Sequence, residues 1–310
     1  MAADGGPMPP APAPAPAKPA AEAAKTAAAV PPPKAPRPAP PGVPAAPPWW
    51  RQLRTDPHAA MRLVLGLGMV ALLLFLWWFL THGAVIERII SPVKLPSPGE
   101  VFGSFRGLWQ RGVLDSAIDT LVRVLKGVLL ASAIGIGLGV LSAAQRGVNA
   151  ALTPIVIFLR SVPMGALIPL TLIMFSGDEH RKTMFIFLAI VPFVFSDTVK
   201  AVSLVPERFV ETAQTLGATR FQIVLKVLIP LATPDIVTSI RFQFGLALGY
   251  IMLVETDAAP GLGKLINSSQ REGPYEHVYL LLFVIALLAF SIDILLRTLQ
   301  RGVFPWRRDL

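Results

Sequence analysis

Residues 63–80 read LVLGLGMVALLLFLWWFL, eighteen consecutive positions without a charged side chain. A helix needs roughly 20 predominantly apolar residues to cross a bilayer core. The block, extended to 60–81, therefore reads as a membrane span, with Trp77 and Trp78 near its far end as an aromatic belt requires. Further along, residues 127–144 (GVLLASAIGIGLGVLSAA) also carry no charge, and the second span is placed at about 120–144. Its Gly135, Gly137 and Gly139 would weaken a soluble helix, but small residues let helices approach closely in lipid. A third span, about 150–176, contains Pro154, Pro163 and Pro169 and is expected to be kinked or broken. The fourth is placed at about 183–202 (including TMFIFLAIVPFVFS), the fifth at about 236–256 and the sixth at about 277–296.

Composition agrees with a lipid solvent. Of 310 residues, 53% are hydrophobic and 15% charged, against roughly 25% charged in an ordinary soluble domain. Cysteine is absent, which excludes disulfides, thiolate metal sites and a cysteine nucleophile. The net charge of +9 does not indicate nucleic acid: Lys and Arg gather at the ends of apolar blocks, with no basic segment interleaved with a base-stacking surface. Residues 1–48 are almost entirely Ala and Pro, with Lys18, Lys25, Lys34 and Arg37 scattered through. Such a segment is expected to be a solvated, disordered and partly polyproline II tail; a proline-motif docking site is the alternative. The first apolar block begins near residue 61, too late and too long for a cleaved leader. The expected organisation is a Pro/Ala-rich cytoplasmic tail (1–57), a lead transmembrane helix and outer loop (58–94), a core transmembrane domain (95–304) and a short cytoplasmic tail (305–310).

Basic residues set the topology. Arg51, Arg54 and Arg62 flank the first span, and Arg297, Arg301, Arg307 and Arg308 follow the last. The positive-inside rule puts both termini in the cytoplasm, which needs an even number of spans, and six satisfies it. The turn at Arg146 and the segment 203–234 then face the cytoplasm, while 82–116, 177–182 and 257–276 face out. Within the first of these, apolar residues recur at helical spacing from Pro98 (Val101, Phe102, Phe105, Leu108, Trp109), as in an amphipathic helix on the membrane surface.

The segment 203–234, SLVPERFVETAQTLGATRFQIVLKVLIPLATP, is too polar to cross the membrane. Glu211, Thr212 and Ala213 open a helix, Gly217 breaks it, Phe221–Leu228 resumes an apolar helical face, and Pro230 and Pro234 end the segment. A short helix stopped by Gly makes a rigid knob with a sharp turn behind it. Glu211 near the helix start complements the helix dipole.

The spacing of Glu211-Thr212-Ala213, Gly217, Val227 and Ile229-Pro230 resembles the cytoplasmic signature of permease subunits of bacterial binding-protein-dependent ABC importers, with Thr212 in place of the signature's first Ala. Leu95-Pro96-Ser97-Pro98 with Val101 is similar to the outer-loop entry of the nitrate/sulfonate/taurine-type branch. Arg160-Ser161-Val162-Pro163, followed by Ala166-Leu167-Ile168-Pro169-Leu170, is similar to that branch's third span. The likeness covers about residues 95–304. It departs at Phe175–Lys182, which carries more charge than the branch pattern. The resemblance implies an all-α membrane fold with a type I, MetI-like permease core in the bacterial inner membrane. It implies a homodimer of such permeases, with the path for a small anionic solute between the two copies. Glu211, Thr212, Ala213, Leu216, Gly217, Ile229 and Pro230 would couple to a separate ABC ATPase that holds ATP and Mg, this chain binding no cofactor. An extracytoplasmic solute-binding protein would deliver the solute.

Other chemistry finds little support. A P-loop needs G-x-x-x-x-G-K-[ST]. Around Gly261-Leu262-Gly263-Lys264-Leu265 the first Gly position is Ala258 and Leu265 follows the Lys. His58, His82, His180 and His277 lie far apart, and no hydrolase motif is present. Charges inside spans are costly and need a reason. Arg160 and Asp197 lie at similar depth on antiparallel spans and are expected either to pair or, for Arg160 beside Pro163, to line the pathway and attract an anion. Asp293 and Arg297 read as an i,i+4 ion pair. Glu255 and Asp257 read as a solvated rim or a contact for the binding protein. The rival classes are a secondary transporter, for which paired broken repeats are missing, and a membrane scaffold acting through the Pro-rich tail.

Overall fold

The computed structural model describes residues 57–83, 88–256 and 260–306. The Pro/Ala-rich tail, Asp257, Ala258 and the last arginines, Arg307 and Arg308, lie outside the described residues. The chain separates into two units, Met1–Leu67 and Gly68–Leu310. Of the first, only the start of the lead helix is described; the second holds the helical bundle.

Every regular element among the described residues is helical. In chain order they are α1 Ala59–Thr81, α2 Pro98–Gly103, α3 Phe105–Gln110, α4 Val113–Ala144, α5 Arg146–Ser161, α6 Met164–Met174, α7 Asp178–Ser203, α8 Glu207–Thr215, α9 Arg220–Ile223, α10 Ile229–Ile251, α11 Leu262–Glu272 and α12 Glu276–Val303. Five helical stretches are long and apolar enough to cross a membrane; the pair α5 and α6, bent by 102° at its break, makes a sixth. The third span is thus broken, as its prolines foretell: Val162 and Pro163 are extended, and Pro163 precedes the first turn of α6.

Helices α4 and α7 form the centre of the bundle. A Cβ on Gly127 would lie 2.5 Å from Ile186 Cγ2, on Gly135 2.9 Å from Val194 Cβ, and on Gly139 2.7 Å from Thr198 Cβ. These three glycines share one helix face, and their lack of side chains lets the backbones approach. Gly137, expected to act with them, has nothing near it and takes no part. Around this seam Val124, Val128, Ala131, Phe185, Ile186, Ile190, Phe244, Leu248 and Ile251 bury together, so α10 closes the core.

Several boundaries differ from the sequence reading. Span four begins at Asp178 rather than 183, because the charged run is helical. Asp178 and Glu179 occupy the first turn, where acids favour a helix, and Asp178 pairs with Arg181 at 2.5 Å and Lys182 at 2.9 Å. Span two likewise starts at Val113, and α11 occupies much of the expected loop 257–276. The amphipathic helix from Pro98 is two short helices meeting at Ser104: Val101 and Leu108 are buried, while Phe102, Phe105 and Trp109 are exposed. A capping box of Ser97 and Glu100 starts the first of them.

Pro230 and Pro234 do not end the segment before span five. The apolar stretch runs from Arg220 to Ile251 as one helical span. Residues Val224–Leu228 widen into a π turn in which the Ile229 amide donates to Val224 O. A π turn is one way a helix absorbs a proline, which lacks an N–H and crowds the carbonyl four residues back.

Trp77 anchors the end of α1. Its indole N–H donates to Pro96 O at 2.9 Å and its ring stacks on Phe283 of α12 at 5.9 Å. Nearby, Arg88 grips Glu100 with two hydrogen bonds, of 3.0 and 2.9 Å.

Candidate functional site

The predicted coupling segment has the expected knob, built entirely from local interactions. Helix α8 starts at Glu207, one turn before Glu211, so Glu211, Thr212 and Ala213 sit in its middle. Leu216 follows the last helical residue, and Gly217 adopts φ +78°. The Gly217 amide donates to Gln214 O at 2.9 Å and the Ala218 amide to Ala213 O at 3.0 Å. This pair of bonds is the Schellman arrangement, which needs a left-handed residue at the Gly217 position and so explains the glycine there. Two residues on, Thr219 caps α9 through a reciprocal box with Gln222.

The knob projects from the bundle. Leu216 is 84% exposed and Phe221 72%, and Glu211, Thr212 and Pro230 are also exposed. Behind them Ile223 is buried, and Val224, Leu228 and Ile229 pack against Val140, Ala201, Val202, Ala232 and Ile236. Ile229 and Pro230 therefore root the knob in the span, and Gly217 and Leu216 form its tip. From the tip, α9, the π turn and α10 run as one continuous helical stretch into the bundle.

Within the spans, Arg160 and Asp197 do not pair. The Arg160 guanidinium lies over the Phe193 ring, 4.8 Å from its centroid. Asp197 accepts hydrogen bonds from Ser239 and, at 2.9 Å, from Gln243, both on α10. Matching depth is no guarantee of matching faces, and polar donors on the neighbouring helix satisfy Asp197 instead. Nor does Asp293 pair with Arg297: Arg241 of α10 reaches it at 2.9 Å. Arg241 also donates to Gln300, whose amide donates to Pro234 O at 2.9 Å and to Thr238 at 2.6 Å. Polar side chains thus tie α10 to α7 on one side and α12 on the other.

The largest departure from the sequence reading is Glu255. It is fully buried, not a solvated rim. Thr120 donates to its two oxygens at 3.0 and 2.8 Å, Arg123 donates at 2.7 Å, and the Gly263 amide donates at 3.1 Å. Arg123, 3% exposed, also grips Glu179 with two bonds, of 2.6 and 2.5 Å. The Leu262 amide donates to Thr120 at 3.0 Å, drawing the start of α11 into the same cluster. The glycines that faintly suggested a P-loop serve this packing: a Cβ on Gly261 would lie 2.5 Å from the Glu255 carboxyl, and one on Gly263 2.7 Å from Glu255 Cβ. Sequence reasoning misses Thr120, Arg123 and Glu179 as members of a site. The available signal was an arginine inside an apolar span, which demands an anion.

Known proteins share this architecture. Residues 135–305 match the family described as "Binding-protein-dependent transport system inner membrane component". The chain is 31% identical over 267 residues to the taurine transport system permease protein TauC of Escherichia coli (strain K12), covering 84% of this chain and 96% of that one. It is 27% identical over 223 residues to the putative aliphatic sulfonates transport permease protein SsuC of Bacillus subtilis (strain 168), covering 71% of this chain and 81% of that one. Its fold resembles a chain of the MetNI methionine ABC transporter in an inward-facing conformation, with TM-score 0.56 at 22% identity over 61% of this chain and 95% of that chain.

Proposed function

The chain belongs to the family of binding-protein-dependent transport system inner membrane components and is a permease subunit of an ABC importer; on that premise we propose how it is coupled and what it carries. The segment Glu207–Pro230 docks into a groove of a separate ATPase on the cytoplasmic side, with both termini of the permease on that side. Two copies of the chain enclose the solute path, and a solute-binding protein delivers from outside. ATP and Mg stay on the ATPase. ATP binding draws the two ATPase copies together and, through the docked knobs, turns the path outward; hydrolysis reverses it. Such a rigid-body change is biased by whichever nucleotide state the ATPase holds.

The single observation that carries this reading is the knob itself. A Schellman-stopped helix presents 84%-exposed Leu216 at its tip, rooted through Ile229 and Pro230 in a span. The solute class is a small sulfonate, supported by the names of the two relatives and by their likeness across most of this chain. The test is Gly217→Trp in the assembled transporter. Solute uptake and its coupling to ATP hydrolysis should be lost while the permease still extracts and purifies as wild type. Unchanged coupled uptake would refute the docking role.

A further inference from the structure

A groove of about 600 Å³ runs beside the helical stretch that carries the knob, between the last turns of α4 and the residues from α9 through the π turn to the start of α10. Its walls are apolar and open: Leu141 on α4 and Phe221 and Leu225 opposite are all exposed. Gly137 and Leu141 are four residues apart, so one face of α4 makes the first wall. Gly137 provides the room, because a Cβ there would meet nothing within 4 Å. The glycine that takes no part in the α4–α7 seam thus opens this groove instead.

The chemistry changes along its length. From Ile136 to Ala144 the α4 wall is hydrocarbon and glycine, and at the mouth, where α4 ends and α9 begins, stand Gln145 and Arg220. No carboxylate lines it among the described residues. Ile136 lies eight residues before Ala144, about 12 Å along the helix, against about 15 Å for the hydrocarbon of one leaflet. A water-filled path would leave these apolar side chains against water. An apolar slot of about one leaflet's depth with an arginine at its mouth instead matches a phospholipid, chain inside and phosphate at the rim.

We propose that this groove binds an anionic phospholipid from the leaflet on the knob's side, with one acyl chain along α4 and the headgroup phosphate on Arg220. A guanidinium suits phosphate because its N–H groups form a fixed fork, and Gln145 supplies an amide donor beside it. A zwitterionic headgroup brings its own cation to Arg220 and is disfavoured there. The bound chain packs against Phe221 and Leu225, in the stretch that joins the knob to its span. The leaflet is the cytoplasmic one on the orientation proposed above, but the site requires neither that orientation nor the docking role.

The test uses the full transporter, with its ATPase and binding protein, in dioleoyl phosphatidylcholine vesicles. These contain a trace of phosphatidylglycerol with a photoactivatable diazirine midway along one chain; phosphatidylcholine with the same label is the reference. Labelled peptides should map to 136–145 and 220–229. The phosphatidylglycerol probe should be favoured about fivefold, the worth of one basic residue at an anionic headgroup. Arg220→Gln should bring the two probes level. Gly137→Leu should abolish labelling by both, and since its side chain enters open space within a helix it should unfold no earlier than wild type. Unlabelled phosphatidylglycerol should compete and glycerol 3-phosphate should not. Equal labelling by the two probes in wild type overturns the proposal, as does unchanged labelling in Gly137→Leu. Displacement by glycerol 3-phosphate marks a site for soluble phosphate and also overturns it. A groove labelled in the permease alone but not in the full transporter is covered by the ATPase or by the second copy, and that too overturns it. Labelling is read without uptake, so failure of the docking role at Gly217→Trp and failure of the lipid site are separate outcomes.

Discussion

Around Glu255, at one end of α10, donors from α4 and from the start of α11 converge on a single buried carboxylate. Around Gly217, beyond the other end, the hydrogen bonds join residues no more than five apart in sequence: Ala218 to Ala213, Thr215 to Glu211, Gln222 to Thr219. The first region is a tertiary joint, complete within the chain. The second is a self-supporting turn whose apolar tip, Leu216, is exposed. If the proposed docking role holds, the two ends of one helix divide stability from coupling, and substitutions at the two should fail in different ways.

The largest expected effect is at the joint. Arg123→Ala leaves Glu255 buried without its cation, and breaking a buried pair in this way costs about 3–5 kcal/mol. Thermal unfolding of the detergent-solubilised permease should show it as a large drop in stability. Removing both charges, Arg123→Met with Glu255→Leu, should recover much of the loss, since an apolar replacement of a buried pair is often neutral. Little loss in the single variant would weaken the contrast between the ends.

Two glycines sharpen the comparison because they are glycine for different reasons. A Cβ on Gly263 would sit 2.7 Å from Glu255 Cβ and 3.0 Å from a backbone oxygen. Gly263→Ala should therefore overpack the joint, at a cost of about 1–3 kcal/mol. Gly217 has open space around it, but its φ is +78°. Gly217→Ala should cost about 1 kcal/mol through the backbone alone. Gly217→Asn should cost less, because Asn tolerates the left-handed region. Unfolding midpoints of the three variants rank the effects; a Gly217→Ala loss as large as that of Gly263→Ala would break the distinction. Thr219→Ala, which removes the cap of α9, should cost about 1 kcal/mol, with any larger effect on uptake than on unfolding locating the damage in coupling.

Legibility in the sequence divides along the same line. The knob is legible because its causes are local, a helix and the glycine that stops it, although the helix start at Glu207 and the Thr219 cap emerge only in the structure. The broken third span is legible for the same reason, in Pro163. The fold is legible from apolar blocks, since a lipid solvent leaves few alternatives. Glu255 is not, because it closes an apolar run as a solvated end would, and its partners Thr120 and Arg123 lie 135 and 132 residues away. Depth and i,i+4 spacing suggest partners for Asp197 and Asp293, yet Ser239, Gln243 and Arg241 of α10 hold them instead. The prolines at 230 and 234 mislead for a different reason. Each is a local stop signal, and the π turn that carries the helix on is decided by packing against α4 and α7.

The smallest effect expected belongs to the Glu100 carboxylate, on the same side of the bundle as the joint but outside the spans. The hydrogen bonds from Arg88, then that from the Ser97 amide, hold Glu100 down to about 2 from an ordinary 4.5. Because the folded value is depressed, the contribution is fully present above about 4.5 and is lost as the pH falls toward about 2. The carboxylate is about one-third exposed, so solvent screening keeps the effect modest. Glu100→Gln removes the ion pair at every pH. The stability difference between wild type and this variant should be steady near neutrality and shrink as the pH is lowered through that window. Glu255 has no such exposure, so Glu100→Gln should leave the Arg123→Ala loss unchanged. Unfolding of the double variant tests this, because well-separated sites should add. A strong departure from additivity would mean that the α2 cap and the buried joint act as one unit.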